Sequence, residues 1–200
     1  MNHVFRKGTD DSKPTLVLFH GTGGNENDLL PLADLLSPGS SVLGVRGNVL
    51  ENGMPRFFRR LSEGVFDEAD LIFRTHETKQ FLEKAAAQYG FDANHLVAVG
   101  YSNGANIAGS LLFHYKDVFQ SAVLLHPMVP LRGLTLPSLD EVSVFIGAGT
   151  NDPICPPAET RELEELLQEA GATVTMHWGN QGHRLSMEEA EAARDWLSKR

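Results

Sequence analysis

The sequence predicts an α/β fold in which a mostly parallel central sheet is flanked by helices on both faces. Two observations carry this prediction. Short continuous apolar runs such as Thr15–Phe19 lack the alternation of a sheet with one solvated face, so they indicate strands buried on both sides. These runs also alternate along the chain with helical patterns, as they do when covering helices connect parallel strands.

The individual elements follow in order along the chain. Further apolar runs predict strands at residues 41–45, 96–99, 122–125, 142–146 and 172–176, with a short edge strand at 4–5. Apolar spacing and glycine or proline boundaries predict helices at about 70–89, at 105–115, from 156 to a stop at Gly171, and from 187 onward.

The last helix has a clear start signal. Ser186 and Glu189 have the spacing of a capping box, in which the serine hydroxyl bonds a backbone N–H and the carboxylate returns to the cap. No internal repeat, low-complexity tract or linker interrupts the pattern. Residues 1–200 are therefore expected to form one domain.

The composition of the 200-residue chain is that of a globular protein, with 42% hydrophobic and 22% charged residues. The net charge of -9 argues against a nucleic-acid-binding protein, which would carry a basic patch. No apolar run approaches the roughly 20 residues of a membrane span, and the N-terminus does not read as a secretory signal. We therefore expect a cytoplasmic protein that binds neither nucleic acid nor membrane.

The chain has one cysteine, Cys155, which excludes an internal disulfide and a multi-cysteine metal site. Although it lies close to Asp152, prolines crowd it, and we interpret it as a small buried or half-buried residue rather than a reactive thiol. Neither a metal nor a cofactor is expected.

Residues 100–104 read GYSNG and match the pattern G-x-S-x-G. The pattern alone is common, but here an apolar strand runs into it and a helical stretch leaves it, as in a nucleophile elbow. The tight turn leaves no room for side chains two positions from the serine, which explains Gly100 and Gly104. The alternatives are a structural Gly-Ser loop and a phosphate-binding turn, although a Walker-type loop would need Lys followed by Ser or Thr. Ser102 is the candidate nucleophile.

A serine hydroxyl needs an adjacent base that is itself held by an acid, and with this elbow the chain order is Ser, then Asp or Glu, then His. Asp152 follows the strand at 142–146, and His183 follows the strand at 172–176. Both loops fall at the edge where open α/β sheets assemble their sites. Asp152 is thus the candidate acid and His183 the candidate base; a turn-forming Asp-Pro and a surface histidine are the alternatives.

Acyl transfer also needs two backbone N–H groups aimed at the oxyanion. One is expected from Asn103, directly after the nucleophile, and the other from Thr22 in the glycine-rich loop after the first central strand. His20, at the start of that loop, is interpreted as a structural hydrogen-bonding residue. His126 ends a strand and could line the pocket, but it precedes the acid loop and is not the predicted base.

These motifs resemble those of the small carboxylesterase/phospholipase family of α/β hydrolases, which includes acyl-protein thioesterases and bacterial carboxylesterases. The resemblance is carried by residues 18–24, 100–106, 149–154 and 182–183, and similarity to a bacterial branch extends through 45–47 and 51–58. It covers nearly the whole chain and implies the α/β-hydrolase fold with a metal-free acyl-enzyme mechanism on esters or thioesters. The loop region before the elbow is shorter than in acyl-protein thioesterases, which weighs against protein-thioester substrates.

Residues 48–70 read as neither a strand nor a regular long helix, and they should lie at the catalytic edge because they follow the strand at 41–45. We expect this segment to wall the substrate pocket, with Met54, Phe57 and Phe58 meeting the acyl or leaving group. Its arginines would favour an anionic leaving group. The alternative is a packed surface loop whose arginines pair with carboxylates.

The expected function is that of a serine esterase acting on small to medium carboxylic esters. The alternatives are a thioesterase or lysophospholipase-type acyl hydrolase, a dienelactone-type hydrolase, which would ordinarily carry Cys in place of Ser102, and a non-catalytic ligand-binding protein of the same fold. The expected partner is a small-molecule ester. The resemblance leaves open a homodimer formed through an exposed helix or edge strand.

Overall fold

The computed structural model describes the chain from Met1 to Arg200. The strands in chain order are β1 His3–Arg6, β2 Thr15–Phe19, β3 Val42–Val45, β4 Val49–Glu51, β5 Met54–Arg56, β6 Arg60–Ser62, β7 Val65–Phe66, β8 Leu96–Tyr101, β9 Ser121–Leu125, β10 Ser143–Gly149 and β11 Thr173–Gly179. The helices are α1 Leu30–Leu36, α2 Glu68–Tyr89, α3 Asn103–His114, α4 Pro157–Glu169 and α5 Met187–Leu197.

Seven strands form the central sheet in the order β1-β3-β2-β8-β9-β10-β11. Every neighbouring pair is parallel except β1 with β3, so the predicted mostly parallel sheet with a short edge strand is confirmed. Because the parallel strands point the same way, the loops after β2, β8, β9, β10 and β11 meet at one edge of the sheet. This edge is where an open α/β sheet forms its site.

The two faces of the sheet bury two separate hydrophobic clusters. Along β2, Val17 and Phe19 enter the larger cluster and Leu16 and Leu18 enter the smaller one, as the two-residue period of a strand requires. Helices α2, α3 and α4 pack on the larger cluster, whereas α1 and α5 pack on the smaller one. Helices therefore cover both faces, as predicted. None of the five helices combines the length and the apolar character that a membrane crossing requires.

Residues 49–66 form two short hairpins rather than an irregular segment. β4 pairs with β5, and β6 pairs with β7, both antiparallel. The first hairpin turns at Asn52 and Gly53, whose φ values of 51° and 81° are those of a two-residue hairpin turn. An Asn-Gly pair is a strong hairpin signal, so this element was readable from the sequence.

The start of α5 confirms half of the predicted capping box. The Ser186 hydroxyl accepts a hydrogen bond from the Glu189 N–H at 3.1 Å. The Glu189 carboxylate does not return to the cap, and this part of the prediction is wrong. The carboxylate points instead into the protein, where it is buried beside His126. A buried partner thus replaces the local contact.

Candidate active site

Ser102 occupies the turn between β8 and α3. Its backbone angles, φ 53° and ψ -114°, lie in a region that residues other than glycine rarely adopt. A Cβ atom on Gly104 would overlap the Phe19 carbonyl group, and one on Gly100 would overlap the backbone of Ala105. Strand and helix therefore approach each other closely only because both positions are glycine. This is the geometry of a nucleophile elbow.

The side chains of Ser102, His183 and Asp152 form a continuous hydrogen-bonded row. Nε2 of His183 lies 2.8 Å from Oγ of Ser102, and Nδ1 of the same ring lies 2.7 Å from Oδ2 of Asp152. When Nδ1–H donates to the carboxylate, Nε2 is left to accept the serine proton. The structure thus brings together the three residues predicted from loops that are 81 and 31 positions apart.

Asp152 is buried, and its carboxylate accepts four hydrogen bonds. Oδ1 accepts from the backbone N–H groups of Ile154 and Cys155 at 2.8 and 2.9 Å. Oδ2 accepts from His183 and also from Nδ1 of His126 at 2.9 Å. Burial alone would raise the pKa of this carboxyl, but the hydrogen bonds from Cys155 and the two histidines outweigh it and hold the pKa below its ordinary value. The group is therefore ionised at neutral pH.

His126 contacts the candidate acid even though its place in the chain order excluded it as the base. Its second nitrogen, Nε2, lies 3.3 Å from Oε2 of Glu189, a buried residue of α5. The position of His126 directly after β9 was a signal that it reaches the same edge of the sheet. Glu189 carried no such signal, because its spacing from Ser186 already had a local explanation.

The loop that carries His183 is tied to its neighbours on both sides. The Tyr101 hydroxyl donates to the backbone oxygen of His183 at 2.5 Å, and the Gly182 N–H donates to Oδ1 of Asn151 at 3.0 Å. Tyr101 is the residue before the candidate nucleophile, and burial raises the pKa of its hydroxyl. The residues flanking the nucleophile and the acid thus hold the histidine loop in place.

Thr22 and Asn103, the predicted oxyanion donors, line the same cleft as Ser102. Asn103 is the first residue of α3, where backbone N–H groups have no partner within the helix. The N–H of Thr22 donates to no backbone carbonyl. Both groups are therefore available to bind an oxyanion.

The hairpin strand β5 and the residue after it hold these two residues in place. Nη1 of Arg56 donates to Oγ1 of Thr22 at 2.6 Å, and the Phe57 N–H donates to Oδ1 of Asn103 at 2.7 Å. Arg56 is only 3% exposed, and burial is the main reason that its pKa lies below the ordinary value. Neighbouring residues of one segment thus orient both sides of the candidate oxyanion hole.

A cleft of about 280 Å³ lies beside Ser102. The two hairpins and the loops after β9 and β10 supply most of its remaining lining. Those residues are Arg56, Arg60, Glu63, Gly64, Phe66, Met128, Ile154 and Cys155. The cleft is therefore mixed in character, with charged side chains beside a few apolar ones.

The predicted pocket wall needs a correction. Phe57 and Phe58 are 1% and 0% exposed and belong to the larger hydrophobic cluster, because burying two aromatic side chains in the core is strongly favourable. Met54 is exposed beside Gly23 and is not part of the lining. The segment does wall the cleft as expected, but with Arg56 and Phe66 among other residues.

Comparison with known proteins gives this site its family. Residues 56–196 match the dienelactone hydrolase family, which is more than half of the chain. The chain belongs to this family. It is 56% identical over 199 residues to the putative hydrolase MhqD of Bacillus subtilis, covering 100% of this chain and 98% of that protein. It is also 25% identical over 179 residues to acyl-protein thioesterase 1 of Cryptococcus neoformans, covering 78% and 74% of the two chains.

Among solved structures, the chain is similar to the Bacillus cereus carboxylesterase, with 65% identity and a TM-score of 0.99 over 100% of this chain and 94% of that one. The predicted resemblance is confirmed: this member of the dienelactone hydrolase family is a carboxylesterase-like α/β hydrolase.

Within this family member, His126, Asp152 and His183 offer nitrogen and oxygen atoms that lie within 4.8 Å of one another, as in a metal site. Both Nδ1 atoms, however, are at hydrogen-bond distance from the same carboxylate oxygen. Each of these nitrogens must then carry a proton, which leaves no lone pair there for an ion. The three residues therefore form a hydrogen-bonded group centred on the Asp152 carboxylate rather than a ligand set.

The remaining two residues near the site are structural. His20 is buried, with Nδ1 2.6 Å from the Gly21 oxygen and Nε2 accepting from the Gly47 N–H at 3.1 Å, which confirms its predicted role. Cys155 is buried, its Sγ donates to the His126 oxygen at 3.2 Å, and burial raises its pKa well above the ordinary value. Its thiol is therefore un-ionised at neutral pH, as predicted for an unreactive residue.

Proposed function

We propose that this chain is a serine carboxylesterase that hydrolyses small to medium carboxylic esters through an acyl-enzyme intermediate. The observation that carries the proposal is the row from Ser102 Oγ to His183 Nε2 at 2.8 Å and from His183 Nδ1 to Asp152 Oδ2 at 2.7 Å. This row opens into a cleft, where an ester can reach the serine. The similarity to the Bacillus cereus carboxylesterase supports the same reaction.

In the first half of the reaction, Ser102 Oγ attacks the acyl carbon while His183 Nε2 takes the hydroxyl proton. The buried Asp152 carboxylate keeps the imidazole in the tautomer with a proton on Nδ1 and stabilises the cation that forms. The N–H groups of Thr22 and Asn103 stabilise the negative charge on the acyl oxygen. His183 then gives its proton to the departing alcohol, and the acyl group stays on Ser102.

In the second half, a water molecule takes the place of the alcohol. His183 takes a proton from the water as the water oxygen attacks the acyl carbon. His183 then gives this proton to Ser102 Oγ as the bond between Oγ and the acyl carbon breaks, and the carboxylic acid leaves. The same donors serve both tetrahedral states, so no further group is needed.

The cleft supports a substrate of limited size. Its volume of about 280 Å³ lies near the lower limit of small-molecule sites. The apolar side chains of Phe66, Met128 and Ile154 can contact an acyl or alcohol group, while Arg56 and Arg60 add positive charge. This mixture favours compact, partly polar esters over long acyl chains.

A second candidate is a dienelactone-type hydrolase that opens cyclic esters. The match of residues 56–196 to the dienelactone hydrolase family favours it, whereas Ser102 at the nucleophile position weighs against it. Both candidates use the same serine and differ in the shape of the ester. A lactone panel beside a p-nitrophenyl ester panel distinguishes them.

The serine mechanism is tested by labelling the full-length protein with a fluorophosphonate probe and by measuring hydrolysis of p-nitrophenyl esters of increasing acyl length. We expect labelling of the native protein, none of Ser102→Ala, and highest kcat/KM for acetyl to butyryl esters. Ser198→Ala, at the C-terminal end of α5 and outside the cleft lining, serves as the matched control. Absence of labelling in the native protein would contradict the proposal.

A further inference from the structure

The buried pair formed by His126 and Glu189 has no part in the mechanism above. His126 is 3% exposed and Glu189 4%, and Oε1 of Glu189 has no hydrogen-bond partner. A Cβ atom on Gly147 would overlap the Glu189 carboxylate, so the carboxylate fits only because residue 147 has no side chain. A buried acid of this kind is unfavourable compared with an apolar residue. Its cost points to a role in the site rather than in packing.

We propose that His126 is a positioning residue of the acyl-transfer reaction and that Glu189 keeps it in the required protonation form. The inference rests on the proposed serine mechanism. Nδ1 of His126 donates to Oδ2 of Asp152, the same oxygen that accepts from His183. The carboxylate is thus held from a second direction, so it faces the base in one orientation throughout the reaction.

The geometry determines how many protons the pair holds. Ionised Asp152 can only accept, so Nδ1 of His126 carries a proton. The contact of 3.3 Å between Nε2 and Oε2 of Glu189 needs a second proton, on the nitrogen or on the oxygen. In both forms the pair has no net charge, and the tautomer with a bare Nδ1 facing Asp152 is excluded. Glu189 accommodates the Nδ1 proton in both forms, because it either accepts from a doubly protonated ring or donates its own proton to Nε2.

Electrostatics agree with this arrangement. Burial alone would lower the pKa of His126, but the hydrogen bonds and charges of Glu189 and Asp152 raise it above the ordinary value. The Tyr101 and His183 rings lie 6.0 and 5.2 Å from the His126 ring and do not bond its nitrogens.

The remaining contacts of His126 are through its backbone. Its N–H donates to the Gly147 oxygen at 2.7 Å, and its own oxygen accepts from the Cys155 thiol. Only Asp152 and Glu189 therefore decide which ring nitrogen carries a proton.

The test compares three full-length variants in hydrolysis of p-nitrophenyl acetate: Glu189→Gln alone, and Glu189→Gln combined with His126→Ala or with His126→Asn. The Gln background avoids an unpaired buried carboxylate. Asn offers an amide donor near the position of Nδ1 and tolerates the positive φ at this site. His114→Asn, which removes a half-buried histidine bonded only to the Ser110 oxygen, is the matched control.

We expect kcat of the variant with His126→Ala to be about 10- to 100-fold below that of Glu189→Gln alone, with little change in KM. Losses of this size are typical of residues that orient a reacting group through a neighbour. The acidic limb of this variant's kcat/KM profile should move to higher pH, because the oxygen that faces the base carries more negative charge. The variant with His126→Asn should restore most of the kcat and most of the pH profile, and the His114→Asn control should change neither. Thermal unfolding verifies that each variant is folded.

Wild-type kcat and pH profile in the Ala variant, or equal losses in the Ala and Asn variants, would overturn the proposal. Ser102→Ala is assayed alongside to distinguish failure of this proposal from failure of the serine mechanism. Retained hydrolysis in Ser102→Ala would mean that the serine mechanism itself is wrong. The hydrogen bond is then still judged by proton NMR. The native protein and Ser102→Ala should show downfield imidazole N–H resonances from both histidines that donate to Asp152, and the His126→Asn variant should lose the His126 resonance while keeping that of His183. Absence of the His126 resonance from the native protein would also overturn the proposal.

Discussion

Two residues at the ends of neighbouring strands, Ser102 after β8 and His126 after β9, share a positive φ of 53°, which residues other than glycine rarely adopt. Such a conformation stores about 1–3 kcal/mol and persists only where surrounding contacts hold it. The Ser102 N–H donates to Leu125 at 2.8 Å, and the His126 N–H donates to Gly147 at 2.7 Å. Each strained residue is therefore held by the next strand, which aims both side chains at the same edge.

Replacing Asp152 with Asn tests the acid at the level of a single atom. An amide would present one oxygen and one NH2 group to two histidines that both donate, so the His183 tautomer would be wrong. We expect kcat for p-nitrophenyl acetate to fall about 10⁴-fold with little change in KM. Asp140→Asn, an exposed aspartate outside the site, is the control. A loss below tenfold would contradict the assignment of Asp152 as the acid.

Cys155 offers a test of burial beside the acid. Because burial raises the pKa of its thiol, the native protein should not react with iodoacetamide at pH 8. In guanidinium chloride the single cysteine should be fully alkylated, as mass spectrometry can show. Rapid alkylation of the native form would mean that the thiol is accessible and ionised.

At the scale of elements, the first hairpin is both a structural and a functional unit. Phe57 and Phe58, which directly follow β5, anchor it in the core, while Arg56 of β5 reaches the cleft. Its contacts with Thr22 and Asn103 couple its position to the candidate oxyanion hole. A change in the hairpin is thus expected to alter the rate of reaction as well as substrate binding.

Arg56→Met removes the hydrogen bond to Thr22 and keeps an apolar stem of similar length. Loss of a whole oxyanion donor typically lowers kcat about 10²–10³-fold, so loosening one should lower it about 10-fold. Arg59→Met, an exposed arginine of the same segment that pairs with Asp67, is the control. Steady-state kinetics on p-nitrophenyl acetate measure the effect. Equal kcat in the two variants would argue against the coupling.

Ser186→Ala tests the helix cap separately from the inward-pointing Glu189. Loss of the side-chain acceptor should lower the free energy of unfolding by about 1 kcal/mol, and Ser186→Asn should restore most of it. Urea unfolding measures the change, with Ser198→Ala near the C-terminus as the control. A change equal to that of the control would indicate that the cap is not formed.

Several elements were predictable because their signal is local. Buried parallel strands have continuous apolar runs, and the nucleophile elbow has a characteristic pair of glycines around its serine. The ends of the strands were not predictable. Strands β10 and β11 continue to Gly149 and Gly179, which pair through backbone atoms and therefore add no apolar side chain to the pattern. The contact between His126 and Glu189 was not predictable, because no motif links the two residues and the spacing of Glu189 from Ser186 already had a local explanation in the helix cap.

At the scale of the whole molecule, charge pairing makes stability depend on pH. Several carboxyl groups, Glu26, Glu51, Asp67, Asp152 and Glu162, have pKa values below the ordinary ones because they accept hydrogen bonds from cations or backbone N–H groups. A lowered pKa contributes stability above the unfolded value, and this contribution is lost as pH falls through the folded value. The protein should therefore lose stability below about pH 4.5.

Asp67→Asn isolates one of these groups. Asn still caps α2 by accepting from the Asp70 N–H, so the substitution keeps the cap and removes the negative charge together with its ion pair to Arg59. The free energy of unfolding of the variant should vary less between pH 5 and pH 3 than that of the native protein. Urea unfolding at several pH values provides the measurement. Parallel curves for the two proteins would show that Asp67 does not contribute to acid sensitivity.

Residues 49–66, which form the two hairpins, contact both the core and the cleft, and this division determines how substrate range can change. Because Phe57 and Phe58 are buried in the core whereas Arg60 and Glu63 line the cleft and join neither hydrophobic cluster, stability and contact with the cleft are set by different side chains. Combinatorial variation at positions 60 and 63 should therefore sample new ester preferences at little cost in thermal tolerance. The segment is a natural starting point for engineering this enzyme.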